Sequence, residues 1–209
     1  QSFKYGGFML ETYQNSADGF KVLDTGGPTG FDQQDYLAKI RVNTAPGAKT
    51  YQSLTFKIGQ TIGDSEETYL GLTQEDFDHS PYRRYAASQH DNITTRQEQY
   101  SLKYNIIPTK FMDVSLTAYR NNFSRNWYKL DAVKYNALAD PAIKSVPIAS
   151  VLDNPSQYAN EYGLLTGSTS PNDDALFVRN NNRDYYAQGI QTTIGLNFDS
   201  GIISHDVEV

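Results

Sequence analysis

Two short groups of residues in this chain have the composition to hold a charged ligand. Pro81-Tyr82-Arg83-Arg84-Tyr85 sets two adjacent guanidinium groups among aromatic rings, and Arg125, Trp127 and Tyr128 repeat the theme further along. A guanidinium is a planar fork that donates two parallel N–H groups to one carboxylate, so such clusters suit an anionic ligand, including iron held by a carboxylate chelator. Arg83, Arg84, Tyr85, Arg125 and Trp127 are therefore the candidate ligand-binding residues. Each group also has a plainer reading. Arg83 and Arg84 could pair with Glu75, Asp76 or Asp78 and hold a loop together, while Trp127 and Tyr128 could belong to an interfacial aromatic belt. Arg179 and Arg183 flank the Asn180–Asn182 triplet and add two further loop cations whose part in binding is open.

Other chemistry finds less support. His79, His90 and His205 have no partner at metal-ligand spacing, and Asp64, Glu66 and Glu67 suit either a divalent cation or a solvated acidic loop. There is no nucleophile elbow, phosphate loop or metal-binding helix, and the Asp173-Asp174 pair falls in a loop, so no enzymatic activity and no resident cofactor are expected. The absence of cysteine removes disulfide scaffolds, thiolate metal sites and thiol nucleophiles. A net charge of -6 argues against a general nucleic-acid binder, which needs clustered Lys and Arg.

The elements that must carry these residues read as strands. Leu54, Phe56 and Ile58 interleave with Ser53, Thr55 and Lys57, and Met112, Val114, Leu116 and Ala118 with Asp113, Ser115, Thr117 and Tyr119. Period-two alternation predicts strands with one apolar and one polar face. Weaker alternation recurs over residues 35–42, 99–106 and 190–198, and a first strand runs from Tyr5 to Gln14. About six strands are expected, plus a seventh over Ser204–Val209, each near the ~10 residues of a tilted barrel strand. The connections alternate in length. Tight turns at Thr44–Lys49, Pro108–Lys110 and Asp199–Gly201 separate long segments at Ala17–Gly30, Ile62–Asn92 and Asn122–Asn182. Short turns on one side and long loops on the other are the habit of outer-membrane barrels. The third long segment is expected to hold a helix capped at Asn154-Pro155 with Gln157 and stopped at Gly167, and a further helical turn within Ser145–Leu152.

Mid-strand Lys57, Lys103, Gln191 and Asn197 suit a hydrated lumen, and Tyr5, Tyr13, Tyr51, Tyr104, Tyr119, Tyr185 and Tyr186 suit an interfacial girdle. The expected fold is all-β: an antiparallel transmembrane β-barrel segment with long outer loops. An unfinished pattern at Val209 leads to the expectation that residues 1–209 are part of a larger closed sheet.

The stretch ETYLGLTQEDFDHSPYRRYAASQ, Glu67–Gln89, resembles the TonB-dependent outer-membrane receptor family, in particular the branch similar to the ferric dicitrate receptor. GFKVLDTGGPTGFDQQDYLAK (Gly19–Lys39), YRNNFSRNWYKLD (Tyr119–Asp131) and NNRDYYAQGIQ (Asn181–Gln191) are similar to further strand and loop stretches of that family. The resemblance implies a barrel of twenty-two strands in the outer membrane of a Gram-negative bacterium, filled by an N-terminal plug. It implies uptake of a ferric chelate, with iron present only as chelated substrate, and partnership with the TonB complex, outer-membrane lipid and lipopolysaccharide. No plug, TonB box or terminal strand is recognised within this sequence. Two other readings stay open: a soluble β-sheet carbohydrate-binding protein or glycoside hydrolase, whose Tyr and Trp would stack on sugars, and a non-energised porin or adhesin.

Overall fold

The computed structural model of the chain describes residues 1–136, 144–171 and 174–209. Asp173 lies outside them, so the Asp173-Asp174 pair is not described. In chain order the elements are β1 (Ser2–Phe3), β2 (Gly6–Ala17), β3 (Val22–Leu23), β4 (Phe31–Asn43), β5 (Tyr51–Ser65), α1 (Gln74–His79), β6 (Arg83–Arg84), a 3-10 turn at Ala86–Ser88 and β7 (Asn92–Thr109). There follow β8 (Met112–Val133), β9 (Val146–Pro147), α2 (Ile148–Asp153), α3 (Ala159–Thr166), β10 (Leu176–Ser200) and β11 (Ile203–Glu208).

Nine strands form one antiparallel sheet in the order β1-β2-β4-β5-β7-β8-β10-β11, with β9 against the far end of β8; β3 and β6 form a separate parallel pair. The sheet is a meander and it is open. The described strands do not close on themselves into the expected barrel, because β1 and β11 stand at opposite ends of the order. The alternation of turns is as expected: residues 44–50, 110–111 and 201–202 turn tightly at one edge, and 18–30, 66–91 and the described residues between β8 and β10 lie at the other. No helix among the described residues is long and apolar enough to cross a membrane.

Strands β8 and β10, of 22 and 25 residues, are far longer than the sequence pattern suggests. They pair with each other along almost their whole length, as a ribbon that β7 flanks as far as Tyr128 and that runs past β7 only over Lys129–Val133, and the pairing takes in Arg179, the asparagine triplet and Arg183, which the pattern had placed in a loop.

Register decides which side chains share a face, since alternate residues point oppositely. Phe8, Ile40, Phe56, Leu102, Ala118 and Ile190 pair in succession across six strands. Val42, Leu54, Tyr104 and Leu116 pair in the next row below. The opposite face carries Lys39, Lys57, Ser101 and Tyr119 in one row and Arg41, Thr55, Lys103, Thr117 and Gln191 in the next.

The burial is inside out. Within β5 the exposed side chains are Leu54, Phe56 and Ile58, while Thr55, Lys57 and Gly59 between them are half-buried. Leu10 and Ile190, on the same apolar face, keep 75% and 76% of their surface open. The apolar face is thus the more open of the two and the polar face the more covered. A chain that lives in water rarely leaves so continuous an apolar band uncovered.

The packed core lies elsewhere, among the long loops. Leu70, Tyr85, Leu130, Val133, Ile148, Val151, Leu164, Leu165 and Ala175 form it, joining loop 66–91, the tip of β8, and helices α2 and α3. Thr73 caps α1 by accepting the Asp76 N–H, a short helix the sequence pattern did not disclose. Helix α3 stops at Gly167 as expected, because the left-handed φ of +78° there suits glycine. Its start differs. Asn154 is the C-cap of α2 and its carbonyl accepts the Gln157 and Tyr158 N–H groups in a turn, which delays α3 to Ala159.

The tyrosine girdle is only partly realised, because parity splits it. Tyr104 and Tyr186 face outward with the apolar band, joined by Tyr36 and Tyr100, whereas Tyr13, Tyr119 and Tyr185 fall on the polar face.

Candidate functional site

The sequence-predicted residues separate into two places. Arg83, Arg84 and Tyr85 lie in the loop core, and their donors are occupied by the protein. Arg83 holds Asp24 through its Nε at 2.9 Å and Asp76 through Nη1 at 2.7 Å, which locks loop 18–30 to α1. Arg84 is almost wholly buried and donates to Ser88 Oγ at 3.0 Å and to the Glu66, Ser88 and Asp91 carbonyls. Tyr85 is buried and donates its hydroxyl to Asp76 at 2.6 Å. Of the three anticipated carboxylates, Asp76 takes part, and Asp24 joins it from a distant loop.

Asp76 is the acceptor on which this network converges, taking hydrogen bonds from Tyr85, Tyr162 and Thr73 besides the Arg83 ion pair. Burial pushes its carboxyl up, but the Tyr162 and Tyr85 hydroxyls, the Arg83 charge and Thr73 together outweigh that and hold it below its ordinary range. Asp91 is the opposite case. Burial raises it above the ordinary carboxylate range, and the Thr68 hydroxyl at 2.7 Å and the Leu130 N–H at 2.8 Å offset this only in part. Burial and the bond to Asp76 also push the Tyr85 phenol up, so it stays a neutral donor. These groups brace the loops: Arg84 and Tyr85 are buried, and the partly exposed Arg83 directs its guanidinium to Asp24 and Asp76.

Arg125 and Trp127 sit on the polar face of the β8–β10 ribbon, below that loop core. Arg125 stands directly opposite Arg183, Trp127 opposite Asn181, and Lys129 opposite Arg179. Two like-charged pairs are thus set face to face, an arrangement that destabilises a sheet unless counter-charge is supplied. Arg179 has a partner, Asp131 at 2.7 Å. Among the described residues Arg183 donates to the neutral oxygens of Asn181 at 2.8 Å and Tyr185 at 3.4 Å.

Aromatic faces line the same ledge. The Lys129 ammonium lies 3.5 Å from the Tyr69 ring centroid and 5.2 Å from that of Trp127, the two rings meet edge to face at 5.7 Å, and the Arg125 guanidinium is 6.0 Å from the Trp127 ring. Arg125 Nε and Trp127 Nε1 are buried donors with no hydrogen-bond partner among the described residues. Buried donors are seldom left so, which makes these two the natural contacts for an acceptor-rich ligand. Trp127 is therefore on the polar face of the sheet, away from the apolar band; Tyr128, one position on, takes the apolar face beside Asn92 and Asn180.

Lys129 was overlooked in the sequence. The signal available was the spacing of Arg125, Trp127 and Lys129 at alternate positions, which puts all three on one face of a strand. Among the described residues no three His, Asp or Glu side chains are grouped to hold a metal ion; Asp64 instead accepts a bond from Asn92 at 2.6 Å.

No family model, curated protein or solved structure matches the chain.

Proposed function

We propose that this chain is a wall segment of an outer-membrane β-barrel that captures an anionic iron chelate on its inner face. In this reading it serves TonB-dependent uptake of a ferric carboxylate such as ferric citrate. The observation that carries the membrane reading is the exposed apolar band along one face of the sheet.

That band runs obliquely to the hydrogen-bonded rows. Its lower edge is Val42 on β4, whose row passes through Leu54, Tyr104 and Leu116 to Thr192 on β10. On β10 the apolar side chains continue through Leu196 to Phe198, four to six residues further, after four strand steps. A drift of about one to one and a half residues per strand, at ~3.3 Å rise and ~4.8 Å strand spacing, corresponds to a tilt of roughly 35–45°, the range of membrane barrels. A horizontal bilayer crossing tilted strands would require such a drift. A soluble sheet with a covering layer has no need of it.

The substrate class rests on the ledge of Arg125, Trp127, Lys129 and Arg183 together with the family resemblance. Cations with unsatisfied donors and aromatic faces suit a multivalent anion that carries its own carboxylates. The partner complex, and the plug and further strands of such a receptor, are part of the same proposal.

Single cysteines test the wall. Leu54→Cys, Phe56→Cys and Leu116→Cys in the full protein in lipid vesicles should resist an aqueous thiol reagent, and Thr55→Cys and Thr117→Cys should react. Strong aqueous labelling of the first set sinks the barrel reading. For transport, a deletion strain should lose growth on ferric citrate as sole iron source; equal growth with and without the gene refutes the substrate.

A further inference from the structure

We infer that Tyr69 is a ligand-contacting, specificity-setting residue of the Arg125 ledge, and that the buried Asp91 carboxylate is the positioning residue that holds it against Lys129. The inference deepens the ledge reading above and rests on it. Tyr69 comes from loop 66–91, whereas the other ledge residues come from β8 and β10.

The backbone around Tyr69 is pinned on both sides. The Glu66 carbonyl accepts from the Arg84 guanidinium, the Thr68 hydroxyl donates to Asp91 at 2.7 Å, and the Leu70 N–H donates to Thr68 Oγ1 at 3.1 Å. Thr68 and Leu70 are buried in the loop core, yet Tyr69 between them keeps 62% of its surface open. Its ring is turned away from that core and onto Lys129 and Trp127.

Asp91 supplies the register. Its Oδ2 accepts the Thr68 hydroxyl and its Oδ1 the Leu130 N–H at 2.8 Å, and these are the sequence neighbours of Tyr69 and Lys129. A single buried group thus fixes the two segments whose next residues meet at 3.5 Å, ring centroid to ammonium.

Unspent donors gather at this corner. Arg125 Nε and Trp127 Nε1 are buried without an acceptor, and among the described residues neither the Tyr69 hydroxyl nor the Lys129 ammonium has one. Four donors on alternate residues of one strand and a fixed loop tyrosine suit a chelate whose carboxylate oxygens lie around its periphery. The Tyr69 ring covers one side of Lys129, so a bulky chelate bridges the hydroxyl and the strand cations where a small anion meets one of them.

The test reads quenching of Trp127 fluorescence in the detergent-purified full protein, against a Trp127→Phe blank, with ferric citrate and metal-free citrate as probes. Tyr69→Phe keeps the ring and removes the donor, and should weaken ferric citrate about tenfold. Tyr69→Ala also uncovers Lys129 and should shrink the preference for ferric citrate over citrate by about tenfold or more. Asp91→Asn leaves one oxygen for two donors and should weaken ferric citrate as Tyr69→Phe does. Because Asp91 acts through Tyr69, the Asp91→Asn, Tyr69→Phe double variant should stay within about twofold of Tyr69→Phe alone. Additive losses in the double variant overturn the positioning role. Unchanged ferric citrate affinity in Tyr69→Phe and Tyr69→Ala, with Arg125→Gln weakened, overturns the role of Tyr69 and leaves the ledge standing. Unchanged affinity in Arg125→Gln as well removes the ledge, and Tyr69 with it.

Discussion

Phe56 and Lys57 are adjacent in sequence and opposite in face, so exchanging their character gives a sharp experiment. Phe56 sits in the middle of the apolar band, paired with Ile40 and Leu102, and is exposed. If that exposure is to acyl chains, Phe56→Arg at mid-depth costs ~2–4 kcal/mol, about a hundredfold in the folded fraction for 3 kcal/mol. If it is to water, the same change replaces an exposed ring by a hydrated charge and costs close to nothing. Gln60→Arg supplies the depth control. Two rows above, paired with Tyr36 and Glu98, an arginine there gains an opposed carboxylate and reaches the headgroups, so the cost falls to ~0–1 kcal/mol. Lys57→Leu on the other face removes the charge opposite Lys39 and should stay within ~1 kcal/mol of the unaltered protein. The assay is reversible urea unfolding from phospholipid vesicles, followed by circular dichroism. A Phe56→Arg cost below ~1 kcal/mol, or one smaller than that of Lys57→Leu, refutes the assignment of faces.

Other outcomes follow from the loops and the ledge. Asp76→Asn removes the acceptor shared by Arg83, Tyr85 and Tyr162, and protease cleavage between Gln74 and Ser88 should rise at least tenfold. Because the Asp76 carboxyl is held below its ordinary 3.8, its contribution is complete above that pH and is lost as pH falls through the lowered value. Asp91, raised above 3.8, acts in reverse, so the loop core gains stability as pH falls through the raised value; Asp91→Asn should abolish that gain in a pH series of thermal unfolding. Gly30→Ala drives a methyl into the Ala17 carbonyl and should cost ~1–3 kcal/mol locally, read as proteolysis of loop 18–30. Arg125→Gln and Arg183→Gln should each weaken ferric citrate binding about tenfold, measured by quenching of Trp127 fluorescence against a Trp127→Phe blank; unchanged affinity in both removes the ledge from the site.

The wall was legible because alternation is a local signal: Leu54 to Ile58 and Met112 to Ala118 announce their faces without knowledge of any neighbour. The ribbon was not. Between Asn121 and Arg125 a lone Phe123 interrupts polar residues on both faces, and through Asn180–Asn182 both faces are polar, and a strand wet on both sides leaves no periodicity to find. The fate of Arg83 was equally hidden, since its main partner Asp24 is 59 residues away and only the folded loops bring them together. Trp127 could be placed on a belt or on a rim from sequence, and the register with Asn181 and Ile93 alone decides between them.

The length of the β8–β10 ribbon fixes where a ligand would first be met. Ala118 is the last apolar residue of β8 before Arg120, and Arg125 and Lys129 stand seven and eleven residues beyond it. In the barrel proposed here, a strand tilt near 35° would set the two cations roughly 19 and 30 Å above the top of the hydrocarbon, whereas the headgroup layer would add only about 5–8 Å. The neighbouring strands rise with it, since the Trp127 row runs through Ile93, Ser65 and Phe31 to Ala17, and Lys129 stands beyond the end of β7. An anion arriving from outside would meet its first cation in open water, well above the charged phosphates of the membrane surface that would otherwise repel it.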